Sequence, residues 1–112
     1  MSTLTEGKLV SNVLDLSKMK NNALNEMMLA HMGDMIKSIL GAMFTGSSLP
    51  VHVKGTSAEI AAFVEVLGRE RRYIEAYMKH GLSDAKTYQS KYQLQNSIRK
   101  FESETGIKWP FS

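Results

Sequence analysis

Residues 56–81, TSAEIAAFVEVLGRERRYIEAYMKHG, read as a single amphipathic helix with a signal at each end. Thr56 followed by Glu59 has the spacing of a capping box, in which each side chain accepts from a backbone N–H that has no partner within the helix. Gly81 closes the other end, where a left-handed residue is favoured. Ile60, Phe63, Val64, Leu67, Ile74 and Met78 recur at helical steps, so they share a face that needs apolar cover. Between Leu67 and Ile74 that face must pass through Glu70 or Arg71. A charge at or beside a buried face needs a partner, because leaving it unpaired costs several kcal/mol. A buried ion pair is expected, with a site for an outside ligand as the alternative.

Working outward, Ala23 to Phe44 carries a second helical pattern, with Leu24, Met27, Met28, Met32, Met35, Ile36, Ile39, Leu40 and Met43 on one broad stripe that ends at Gly46-Ser47-Ser48. Leu49-Pro50-Val51-His52-Val53-Lys54 alternates apolar and polar residues, the pattern of a short edge strand. Such a strand must pair with residues near 9–16, with the C-terminal tail, or with another chain. Lys8 to Lys20 is spaced more like a helix than a strand but is too short to assign, and Asn21-Asn22 breaks it.

After Gly81, Leu82-Ser83-Asp84 is a short turn in which Ser83 or Asp84 caps another helix running to about Thr105. So short a link makes 57–80 and 84–105 an antiparallel pair. Residues 1–7 read as a flexible tail and 107–112 as an aromatic C-terminal tail, since Pro110 forbids helix and Trp109 and Phe111 want cover. The expected fold is one mainly α domain. It has a three-helix core made of the pair 57–80 and 84–105 with the Met-rich helix 23–44, and one short strand near 50–54.

The 112 residues suffice for a single core. The absence of cysteine excludes disulfides, thiolate-bound zinc and a cysteine nucleophile. The start of the chain lacks the basic and apolar run of a signal peptide. Glu26, His31, Asp34 and Lys37 interrupt the most apolar stretch, so no membrane span or membrane partner is expected and the chain reads as a soluble, cytoplasmic protein.

Fourteen basic against eleven acidic residues give a net charge of only +3. Glu59, Glu65, Glu70 and Glu75 balance Arg69, Arg71, Arg72 and Lys79 in the 57–81 helix. Several fall four apart as Glu65–Arg69, Arg71–Glu75 and Glu75–Lys79, the mark of a solvated ion-paired face.

The helix 84–105 offers the alternative reading of a small nucleic-acid-binding or transcription-modulating protein. Between Ala85 and Phe101 it has no acid, and Lys86, Tyr88, Lys91, Tyr92, Arg99 and Lys100 supply cations and stacking surfaces. The four charges nonetheless point in different directions around the helix.

Lys54, Gly55, Thr56 and Ser57 lie where a strand meets a helix N-terminus, a weak candidate for anion binding that turn and cap roles also explain. His31 and Asp34 are one turn apart, but no third residue has matching metal-ligand spacing, and His52 and His80 lie in other elements. No nucleophile elbow is present. Neither a catalytic residue, a metal site nor a cofactor is assigned.

Adaptable thioethers suit surfaces of variable shape. Gly33 and Gly41 each cost about 1 kcal/mol of helix stability relative to alanine, a penalty more easily understood where another backbone comes close, and Gly68 points the same way. The expected function is a non-enzymatic protein–protein interaction or assembly module, self-associating as a dimer or higher homo-oligomer or joining a larger assembly. Met27, Met28, Met32, Met35, Met43, Trp109 and Phe111 are its candidate partner-binding residues. In general style the chain resembles small accessory proteins of tailed bacteriophages, a likeness that implies a place in a phage particle or its host's cytoplasm.

Overall fold

A computed structural model of the protein describes residues 13–21, 26–47 and 51–111. In chain order it contains β1 (Val13–Asp15), α1 (Leu16–Asn21), α2 (Glu26–Thr45), β2 (His52–Lys54), α3 (Ser57–His80) and α4 (Ala85–Thr105). The fold is mainly helical with one short strand pair, and the expected antiparallel helix pair is its frame. The tail 1–7, Leu9, Val10, Asn22, Leu24 and the Leu49-Pro50 opening of the expected strand lie outside the described residues.

Both ends of α3 are built from the signals in its sequence. Thr56 Oγ1 accepts from the Glu59 N–H at 3.1 Å, and Glu59 Oε1 accepts from the Thr56 N–H at 2.9 Å. Gly81 has φ 83°, a value that favours glycine, and its N–H bonds Tyr77 O. Of the two candidate caps for α4, Asp84 is the one used, its Oδ1 accepting from Lys86 N at 2.8 Å. Buried Thr87 then clasps the turn, donating to Gly81 O at 2.7 Å.

The strand at 52–54 finds its partner inside the chain. It runs parallel to β1, with Val13 opposite His52 and Asp15 opposite Lys54. The segment that looked closer to a helix is thus divided, a strand to Asp15 and a helix from Leu16, because Leu14, Leu16 and Met19 all turn into the core.

The core joins those three side chains to Met32, Met35, Ile36 and Leu40 of α2 and to apolar residues of α3, α4 and the tail. Its centre is aromatic. Phe63, Phe101 and Trp109 are fully buried, with ring centroids 5.3 to 6.1 Å apart and tilted or edge-on, the arrangement in which ring quadrupoles attract.

The covered face of α3 is rotated from the one its apolar residues mark. Phe63 and Leu67 are buried and Ile60 and Ile74 half-buried, while Val64 and Met78 are 57% and 73% exposed. Glu59, Ala62, Val66 and Glu70 take the buried places. The cause is the position of α4, which the contacts Arg69–Gln93, Glu65–Lys100 and Ala76–Thr87 hold on the opposite flank. Of the three expected ion pairs along α3, Arg71–Glu75 is present at 3.8 Å. Glu65 instead reaches Lys100 across the hairpin at 3.9 Å. These exposed pairs contribute little to stability.

Thr56→Ala is expected to cost about 1 kcal/mol, a lost helix cap. Trp109→Ala should cost about 3–5 kcal/mol by opening a cavity among the rings. Thermal and urea unfolding followed by circular dichroism should place Trp109→Ala far below Thr56→Ala; equal midpoints would contradict the aromatic centre described above.

Candidate functional site

Chain reversal after α4 creates the most specific polar arrangement in the protein. Gly106 is left-handed at φ 72° and ψ 11°, and Thr105 Oγ1 donates to Phe101 O at 2.7 Å while accepting from Ile107 N at 3.1 Å. The tail therefore doubles back, and Trp109 enters between α3 and α4. Its indole N–H donates to Glu70 Oε1 at 3.0 Å and its backbone N–H to Glu102 Oε2 at 3.0 Å.

Glu70 is thus the charged residue that the core stripe had to accommodate. Its partner is a neutral indole N–H, and among the described residues it has no ion pair, which corrects the expectation of a buried salt bridge. Burial pushes its carboxyl above the usual range, and the hydrogen bond from Trp109 draws it partly back. Arg71 is half-buried, its Nε 3.8 Å from Glu75 Oε1 and its guanidinium 5.8 Å from the centre of the Phe44 ring.

The candidate partner-binding residues divide. Met32, Met35 and Trp109 are enclosed in the protein's own core, which corrects their assignment to a contact surface. Met43 is half-buried against the core, and Phe111 is 39% exposed, edge-on to Trp109. The side chains of Met27 and Met28 lie outside the described residues. Gly33 does make room for a close approach, by the chain itself: a Cβ there would meet Pro110 Cβ at 3.6 Å. Nothing described comes near Gly41 or Gly68.

Lys86, Tyr88, Lys91, Tyr92, Arg99 and Lys100 are all exposed on α4. Tyr88 and Tyr92 are one turn apart, and Asn96 and Arg99 continue their column. Lys86 and Lys91 project to opposite flanks, and Lys100 turns to Glu65.

At Lys54, Gly55, Thr56 and Ser57 the place for an anion is filled. The buried Glu59 carboxylate caps the helix start, and a Cβ on Gly55 would lie 3.0 Å from Glu59 Oε1. A negative side chain at that terminus satisfies the same N–H groups and dipole that would attract a phosphate. His31 and Asp34 are exposed on α2, and among the described residues no three His, Asp or Glu side chains gather as metal ligands. Nor is any described helix long and apolar enough to cross a membrane.

Sequence reasoning missed the outward-facing apolar set. Val64, Tyr77, Met78 and Leu82 are all about half or more exposed, the last three at the α3–α4 end of the hairpin. Leu82 was the one readable in advance, since a four-residue link between antiparallel helices has no interior to receive it.

The raised Glu70 pKa sets a sign for stability against pH. The folded state holds the proton more tightly than the unfolded chain, whose value is near 4.5. The contribution is therefore complete below that value and is lost as pH rises through the folded pKa. Glu70→Gln, which keeps an acceptor for the indole and cannot ionise, should flatten this part of the profile of melting temperature against pH. Glu70→Leu should cost about 1–3 kcal/mol throughout by orphaning the indole N–H. A Gln variant with the wild-type slope would show that Glu70 does not titrate in this way.

No protein-family model, curated protein or solved structure matches the chain.

Proposed function

We propose that the protein is a non-enzymatic interaction and assembly module that pairs with a second copy of itself through the uncovered edge of α3. One observation carries this reading: the apolar stripe of α3 is covered by its own domain on one side only. Val64 and Met78 remain open, and Phe44 at the C-terminal end of α2, 41% exposed, lies against Arg71, midway between them along α3. Tyr77 and Leu82 extend the open surface around the end of the hairpin.

Fully covering one such side chain is worth about 1.5–3 kcal/mol. A twofold axis would use each of these residues twice, since both partners present the same patch. The exposed centre of α3 also has no side chain at Gly68, so an approaching helix meets little obstruction there. Assembly into a larger particle in the cytoplasm uses the same patch when the partner is a different protein.

A second reading rests on a separate observation. Tyr88 and Tyr92 are 60% and 63% exposed in one column with Arg99, on a helix face without acids, a surface on which single-stranded bases could stack.

Light scattering coupled to size exclusion should show a dimer at micromolar concentration. The double variant Val64→Glu, Met78→Glu should be monomeric with an unchanged melting temperature, because neither residue belongs to the core. A wild-type monomer across that range overturns self-pairing. Retardation of labelled single-stranded DNA or RNA at low salt, lost in a Tyr88→Ala, Tyr92→Ala variant, would move the assignment to the second reading.

A further inference from the structure

Between α3 and α4, on the side where the tail returns, lies a groove of about 600 Å³. Pockets for small organic ligands run from roughly 300 to 1,000 Å³, so its size suits one such molecule. Its chemistry is divided. Leu94 and Ile98 of α4 give an apolar wall, Tyr73 faces them from α3, and Phe111 closes one end.

Two carboxylates also line the groove. Glu70 and Glu102 each spend one oxygen on Trp109, the first on its indole and the second on its backbone N–H. Among the described residues the second oxygen of each has no hydrogen-bond or ionic partner, and Glu70 is only 7% exposed. Two acids gripping one residue from either side suit a compact cation with several N–H donors, which a primary ammonium supplies. On the rim stand Lys91 and Arg99, about 12 Å apart along α4, with Asn96 bonded to the Arg99 guanidinium. Arg99, one helical turn before Glu102, suits an anionic group on the carbon that carries the ammonium.

We propose that this groove binds a small zwitterion of the free amino-acid class, its ammonium between Glu70 and Glu102, its carboxylate toward Arg99, and an apolar side chain against Leu94, Ile98 and Phe111. Both charges are needed. A simple amine leaves Arg99 unmatched, and a simple acid leaves two partly buried carboxylates unmatched. The site is separate from the open edge of α3 and does not depend on self-pairing.

The chain's single tryptophan is the residue both acids hold, so its emission reports directly on the groove. The intact protein is titrated at neutral pH with L-phenylalanine, phenethylamine and 3-phenylpropionate, following Trp109 fluorescence and heat of binding. Saturable binding of L-phenylalanine is expected, weaker by about tenfold or more for each truncated compound. Glu102→Gln and Arg99→Ala, each verified to melt as the wild type does, should each weaken L-phenylalanine binding by about tenfold. Equal binding of 3-phenylpropionate, or undiminished binding in both variants, overturns the assignment of charges. No saturable response to L-phenylalanine or L-leucine at millimolar concentration overturns the site.

Discussion

An indole N–H enclosed by aromatic rings must find an acceptor, and the carboxylate of Glu70 is where that need is met. The pairing fixes more than two side chains. Because Glu70 is on α3 and Glu102 on α4, the two bonds to Trp109 set the tail against both helices at once. Phe63 and Phe101 then gain the ring that completes their packing, and Pro110 and Phe111 are carried onto Gly33 of α2. A buried acid would ordinarily weaken a small domain. Here its oxygen is the condition for burying the largest side chain in the chain.

The helical frame was readable because its signals are local. The Thr56–Glu59 box, Gly81, Asp84 and the four-residue link act within a few residues of themselves, and each appears as its spacing implies. The parallel pairing of Val13–Asp15 with His52–Lys54 was beyond that range. Nothing within three strand residues chooses between partners forty positions away and a second chain, and the choice is made by Leu14 and Leu16 entering the core.

The candidate site was less legible, and periodicity misled in a definite way. Ile60, Val64 and Met78 look like part of the seam of α3, yet the buried arc is set by where α4 docks, and docking depends on Thr87, Arg69 and Gln93 across the hairpin. Likewise Met32, Met35 and Trp109 stood out by residue type as adhesive, but apolar character does not say whether a surface is satisfied at home. Glu102, an ordinary acid near a helix end, gains meaning only when the tail folds back on it.

The returning tail also bears on how the protein is made. A ribosome delivers residues in order, so α3 and α4 emerge with Phe63 and Phe101 facing an unfilled gap until Trp109 has left the exit tunnel. Through that interval the nascent hairpin carries open aromatic faces inside and Val64 and Met78 outside, and a neighbouring nascent chain can meet either one. Closure comes only once the indole has emerged and the tail is free to turn back between the two helices.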